Sequence, residues 1–309
     1  MATLITKYHA KYFAHDLLLT RAEGDPGKFT STLANSPQVD LNPHQVEAAL
    51  FAFKSPLSMG TILADEVGLG KTIEAGILLS QMWAERRRRI LILVPASLRT
   101  QWRRELAEKF FLPSIIMDGQ EFKKLERSGK CNPFEQDCVV ICSHHFGANQ
   151  ADFIRRVPWD LVVIDEAHRL RNVFKDENKI AQTLRITLDG VRKFLLTATP
   201  LQNSLMELYG LVSFIDPFIF GDMESFRERY VKKRLPLDRF QELKERLKPV
   251  CLRTLRSQVR EYINYTDRIS IIQDFVPTPE EQQLYDRLSN YLTRPCIHAF
   301  SQKATLLMS

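Results

Sequence analysis

"ADEVGLGKTIEAG", residues 64–76, sets two glycines, a lysine and a threonine between an apolar run and a stretch with helical spacing. In a G-x-x-x-x-G-K-[ST] loop the backbone N–H groups wrap a phosphate chain, the lysine neutralises its outer groups and the hydroxyl binds Mg²⁺. Gly68 and Gly70 can take the backbone angles such a loop needs, and Lys71 and Thr72 stand at the matching positions. A helix starting at Thr72 would point its positive end at the anion. Asp65 replaces the first glycine of the generic pattern. Taken alone, a plain strand-to-helix turn is the competing reading.

Outward from this stretch the chain alternates. Short apolar, β-branched runs occur at "TILAD" (61–65), "ILILV" (90–94), "CVVIC" (138–142), "LVVID" (161–165) and "FLLTA" (194–198). Between them lie longer segments of helical period, in one of which Leu98, Trp102, Leu106 and Phe110 recur every four residues. Continuous apolar strands separated by helices predict an α/β fold, a parallel sheet covered by helices on both faces. Ligands of such sheets bind at the carboxyl ends of the strands. The fourth run ends there in two adjacent carboxylates, Asp165 and Glu166. Nucleotide hydrolysis needs one carboxylate for Mg²⁺ and a second group to orient or deprotonate water, so the pair joins the glycine loop in one chemistry. Helix capping is the alternative role of an Asp-Glu pair after a strand.

Composition narrows the class without deciding it. The 309 residues are 44% hydrophobic and 26% charged, which suits a globular chain of one large or two modest cores. The apolar runs are strand-sized, so no transmembrane helix and no membrane partner are expected, and charged residues interrupt the N-terminal segment where a secretory signal would be apolar. Five cysteines without a C-x-x-C pair fit a reducing cytoplasm. Cys138, Cys142, His144 and His145 are conceivable zinc ligands, but the two thiols flank or lie in an apolar run and read as core residues. The net charge of +6 is compatible with a polyanionic partner and does not require one. The basic run "ERRRRI" (85–90) reads as a solvated loop.

Six ordered segments resemble the helicase superfamily 2 ATPases, specifically the Swi/Snf-like translocases of double-stranded DNA. They are "LNPHQ" (41–45), "DEVGLGKT" (65–72), "LVPASLRTQWRREL" (93–106), "ICSHH" (141–145), "DEAHRLRN" (165–172) and "LLTATPLQNSLMELYGLVSFIDP" (195–217). Asp65 is the usual first residue of the loop in that family, and "DEVGLGKTIEAG" is most similar to bacterial members, including the ATPase that recycles RNA polymerase. The resemblance implies a RecA-like P-loop lobe with ATP and Mg as cofactors. It implies that His44 and Gln45 lie at the adenine, and that Asp65, Gly68, Gly70, Lys71 and Thr72 form the phosphate site. Thr72 and Asp165 would hold Mg²⁺, and Glu166 would activate water. His168, Thr197 and Thr199 would couple the nucleotide state to the nucleic acid. Ser97, Arg99 and Ser143 are the candidate contacts to a DNA backbone, while Trp102 reads as a core residue. Expected partners are double-stranded DNA and, by the same likeness, RNA polymerase or another protein, with a monomeric chain that is cytoplasmic and nucleoid-associated.

Beyond the fifth run, Asn203 or Ser204 is expected to cap a helix carrying Leu205, Leu208, Val212 and Ile215 on one face, ending before Pro217. Further helices are predicted over 222–231 and 238–248. The family's doubled arginine and lysine stand here as Arg253-Thr254-Leu255-Arg256, and a strand followed by a helix near Pro279 should come next. The expected organisation is an N-terminal helical arm (1–38, with Ile5, Tyr8, Tyr12 and Phe13), the ATP-binding lobe (39–220), a helical extension and linker (221–265) and the start of a second lobe (266–309). Because the resemblance places arginines that stabilise transition-state charge on a complete second lobe, the chain by itself is expected to bind nucleotide and hydrolyse it slowly. A strand-separating DNA or RNA helicase, a non-catalytic P-loop binding module and a P-loop kinase are the competing functions. The last of these leaves "TATPLQNSLMELY" unexplained, and the complete set Lys71, Thr72, Asp165 and Glu166 argues against the binding module.

Overall fold

The computed structural model describes residues 42–54, 59–175, 177–231, 237–259 and 274–292. The predicted N-terminal arm and the strand expected around 268–273 lie outside these residues. Seven strands form one sheet in the order β3-β4-β2-β5-β6-β1-β7, and every pairing is parallel. They are β1 (Gly60–Leu63), β2 (Ile90–Val94), β3 (Ser114–Ile116), β4 (Val139–Ser143), β5 (Leu161–Ile164), β6 (Lys193–Leu196) and β7 (Cys251–Leu252). The five strands read from the sequence are present. The two missed ones are short edge strands of three and two residues, with partly exposed side chains, so neither makes an apolar run.

Period two explains the two cores. Ile62, Leu91, Leu93, Val140, Val162, Ile164 and Leu195 point to one side of the sheet. Their neighbours Leu63, Ile90, Ile92, Ile141, Val163, Phe194 and Leu196 point to the other. Helix α1 (Pro43–Lys54), α2 (Lys71–Ala84) and α3 (Arg99–Phe110) cover this second face through Ala48, Leu78, Leu79, Trp102 and Leu106. The first face receives α4 (Gly119–Arg127), α5 (His144–Asn149), α6 (Ala151–Arg155), α7 (Lys179–Thr187) and α8 (Leu205–Ile215). Their anchors include Phe122, Ile154, Leu184, Leu208 and Leu211.

This division follows from handedness. The connections β1 to β2 and β2 to β3 run in one direction along the sheet, whereas β3 to β4 and all later ones run back. Right-handed crossovers in opposite directions must place their helices on opposite faces. Because every pairing is parallel, the carboxyl ends of β1, β2, β4, β5 and β6 share one edge, and each strand ends in or leads into a predicted site residue.

Past β6, Ser204 caps α8 by accepting a hydrogen bond from Met206 N, and the helix ends at Ile215. Next come α9 (Met223–Phe226), a π-helical turn over Arg227–Val231 and α10 (Leu237–Leu247). Phe226 and Tyr230 stack into an aromatic group with Tyr209 and Phe220. The chain then re-enters the sheet as β7, which pairs with β1. Compact packing divides the chain at Ile263, and the second unit contributes α11 (Pro279–Leu292), the helix expected near Pro279. No described helix is long and apolar enough to cross a membrane. Cys142 is a core residue of β4 whose thiol is pushed up to about 12 by burial, and no zinc cluster forms around it among the described residues.

Candidate nucleotide-binding site

Residues 64–70 leave β1 as a loop, and α2 begins at Lys71. Gly68 (φ +85°) and Gly70 (φ +92°) are both left-handed. A Cβ at Gly70 would also stand 2.4 Å from Gln45 Nε2 and would displace that amide, while the left-handed backbone is what favours glycine there. Gly70 is the N-cap of α2, and no side chain caps that terminus. The helix thus presents its positive end and first amides at the loop. Lys71 folds back so that Nζ donates to the carbonyls of Asp65 (2.9 Å) and Glu66 (3.4 Å). Among the described residues it forms no ion pair, which leaves its charge available to an anion.

α1 holds the loop from beneath. His44 Nε2 lies 2.9 Å from the Leu69 carbonyl, and Gln45 Nε2 donates to the same oxygen at 3.0 Å while its Oε1 accepts from Asn42 N. Both side chains are buried, so the polar ends of Gln45 serve the loop and the start of its own helix. Below them Asp65 and Glu74 are completely buried, and with His44 they bring three ligand-type atoms within 4.8 Å of one another. Burial, then the charge of Asp65, raises Glu74 to about 9. Among the described residues Asp65 Oδ2 and both Glu74 carboxyl oxygens have no hydrogen-bond partner, an arrangement that a proton on Glu74 would relieve.

Asp165 and Glu166 emerge from β5, separated from β1 by β6 alone. Asp165 is 8% exposed and firmly held: Trp102 Nε1 donates to Oδ2 at 2.9 Å and Glu166 N donates to Oδ1 at 2.8 Å. Burial raises its carboxyl, while the two donors and the charge of Lys71 oppose the rise. The influence of Lys71 places the loop lysine and this carboxylate within electrostatic reach. Glu166 has a left-handed backbone (φ +50°), unusual for a residue with a Cβ and a conformation often stored at reactive sites. Its Oε2 lies 3.0 Å from His168 Nδ1, an ion-pair distance that the ring does not align as a hydrogen bond. Trp102 is a core residue as expected, but its bond to Asp165 was missed. The available signal was that a buried indole N–H requires an acceptor.

From β6, Thr197 is buried, donates its backbone N–H to Leu63 O and accepts at Oγ1 from Thr199 N. The loop beyond is tied to the Asp165 segment by an unforeseen cluster. Glu207 Oε2 pairs with Arg171 Nη1 at 3.1 Å and accepts from Gln202 N and Asn203 N. Burial alone would raise the Glu207 carboxyl, yet those amides and the guanidinium hold it below its ordinary value. Ser97, Arg99 and Ser143 sit farther along the same edge. Ser97 is exposed, Arg99 Nε donates to Ala96 O, and Ser143 Oγ caps α5 by accepting from Phe146 N. Ala96, Ser143, His145, Arg169 and Asn178 line a recess between the ends of β2 and β4.

Comparison with known proteins matches this chain to one family and to solved structures of one fold. A family profile described as "SNF2-related domain" matches residues 30–307. The chain is 36% identical over 252 residues to the "Uncharacterized ATP-dependent helicase YqhH" of Bacillus subtilis, covering 80% of this chain and 42% of that protein. It is 34% identical over 208 residues to "RNA polymerase-associated protein RapA" of Sodalis glossinidius, covering 65% of this chain and 21% of that protein. It thus spans less than half the length of these relatives. The structure titled "Sulfolobus solfataricus SWI2/SNF2 ATPase core in complex with dsDNA" has the same fold, with a TM-score of 0.59, 24% identity, and coverage of 71% of this chain and 45% of that one.

Proposed function

The chain belongs to the SNF2-related domain family, and from that premise we propose that it is the ATP-binding motor lobe of a DNA-dependent ATPase that translocates on double-stranded DNA. The observation that carries the nucleotide reading is the arrangement at one sheet edge: two left-handed glycines, an uncapped helix start, a lysine that among the described residues bonds only its own loop's carbonyls, and a doubly held aspartate within that lysine's field. These residues fit a nucleoside triphosphate with a divalent cation. Lys71 would neutralise the outer phosphates, and Thr72 and Asp165 would hold Mg²⁺. Held by those two residues, a divalent cation would supply positive charge to offset the negative charge that develops on the phosphates.

Glu166 follows Asp165 directly, where its carboxylate would orient water and accept its proton, and His168, 3.0 Å from its Oε2, is placed to sense the proton's arrival. Thr197 and Thr199 join this end of the sheet to the loop that Glu207 anchors, a route from nucleotide to nucleic acid. His44 and Gln45 lie beneath the loop on the adenine side, and for Gln45 to read the base its amide must exchange a loop contact for it. Ser97, Arg99 and Ser143 would face a DNA backbone.

A DNA substrate is favoured by the dsDNA complex of the structurally similar core, and an RNA polymerase partner by the name of the RapA relatives. A cytoplasmic, nucleoid-associated setting is consistent with both. Turnover by the 309 residues alone should be slow, because arginines on a facing lobe contribute about 10³ to 10⁵ in rate in enzymes of this chemistry. The test is ATP hydrolysis by the full-length protein with duplex DNA, single-stranded DNA or RNA, and Glu166→Gln as control. Stimulation by duplex that disappears in the variant supports the proposal. Better stimulation by single strands or RNA replaces it with a strand-separating helicase.

A further inference from the structure

We infer that Arg256 is a positioning residue for the phosphate loop, acting through a strap of backbone that crosses from β7 to the loop's outer turn. The inference rests on the nucleotide reading of that loop. The strap is a ladder that continues the β1–β7 pairing beyond the end of the strands. Ala64 N donates to Leu252 O at 2.7 Å, Glu66 N to Thr254 O at 3.1 Å, and Thr254 N to Asp65 Oδ1 at 2.8 Å. Arg256 N donates to Glu66 Oε2 at 2.6 Å. Last, the Arg256 guanidinium closes on the loop, with Nε at 3.0 Å and Nη2 at 2.5 Å from the Val67 carbonyl. Each successive loop residue from Ala64 to Val67 is thereby bonded to a residue almost two hundred positions later, inside the same compact unit.

The last rung bears on function because the Val67 carbonyl and the Gly68 N–H belong to one planar trans peptide and point in opposite directions. By fixing the carbonyl on its own side, Arg256 aims the Gly68 N–H away from the strap, toward the concave side of the loop. Gly68 is where the backbone turns left-handed, and a Cβ there would lie 3.0 Å from Arg256 Nη2. Val67 is 66% exposed and has no packing of its own to hold that peptide. Asp65 anchors the other end of the strap, with one oxygen on Thr254 N and the other facing the Glu74 carboxyl. The site for phosphate is thus shaped by residues 252–256 as well as by residues 65–72.

Two readouts on the 309-residue chain decide this: equilibrium binding of a fluorescent ADP analogue with Mg²⁺, and amide hydrogen exchange over residues 66–70 without nucleotide. In Arg256→Ala the loop amides should exchange faster and the analogue should bind about fivefold more weakly, the scale of one or two lost hydrogen bonds, with an unchanged melting temperature. Arg256→Lys keeps the charge but not the two-pronged grip, and should fall between the two. Unchanged exchange and affinity in Arg256→Ala would overturn the inference, as would complete recovery by Arg256→Lys, which would assign the effect to charge alone. Failure of the wild-type chain to bind the analogue would refute the nucleotide reading, while the exchange measurement would still decide whether Arg256 holds the loop.

Discussion

Asp165 is a buried carboxylate whose direction is set by its neighbours. Its Oδ2 takes the Trp102 indole and its Oδ1 the next residue's N–H, so its orientation is fixed before any ligand arrives. Trp102→Phe preserves the packing and deletes that one donor to a charged acceptor. Mg-dependent nucleotide affinity should fall about tenfold with the fold intact, as measured by titration of a fluorescent nucleotide against Mg²⁺. Glu166→Gln should leave binding in place and reduce hydrolysis by the full-length protein about 10²- to 10⁴-fold, the usual worth of a general base. The candidate residues at this edge could be proposed from sequence because the proposed chemistry fixes both type and spacing: a lysine and hydroxyl after a glycine turn, and two acids leaving a strand. Thr254 and Arg256 could not, because a bond spanning nearly two hundred positions leaves no local pattern, and the arginine pair there resembled only an imperfect copy of a family motif.

At the scale of elements, α8 crosses close to the turn after Asp165. Gly210 allows this approach, since a Cβ would stand 1.9 Å from the Arg171 carbonyl. Gly210→Ala should therefore destabilise the protein by about 3 kcal/mol despite the better helix propensity of alanine, readable from denaturant unfolding. The Arg171–Glu207 pair fastens the same junction. Replacing Glu207 by Gln breaks a buried pair and should cost about 2 kcal/mol near neutral pH. The folded-state carboxyl titrates below its ordinary value, so its stabilisation is complete above the ordinary carboxylate range and is lost as pH falls through the lower folded value. The difference in melting temperature between wild type and Glu207→Gln should shrink on acidification below pH 4.5; a constant difference would assign the pair no electrostatic role. The five long strands could be read because a strand buried on both faces is an unbroken apolar run, whereas β3 and β7 are too short and too exposed to carry that signal.

Across the whole lobe, the parallel direction of every strand brings five carboxyl ends to one edge and so gathers segments from residue 65 to residue 199 along it. That gathering follows from chain topology, and the alternation of strands and helices was enough to foresee it. The mild net charge of +6 was not enough to identify a nucleic-acid partner. Any affinity of this edge for duplex should depend on phosphate contacts and weaken steeply with salt. The claim on which the rest depends is that the edge holds a nucleotide with its metal. The most direct test is equilibrium binding of a fluorescent ATP analogue to the 309-residue chain with and without Mg²⁺, comparing wild type with Lys71→Ala and Asp165→Asn. The account predicts saturable binding by the wild type, loss of binding in Lys71→Ala, and loss of the Mg²⁺ enhancement in Asp165→Asn. Equal binding by all three proteins, or none by the wild type, would contradict it.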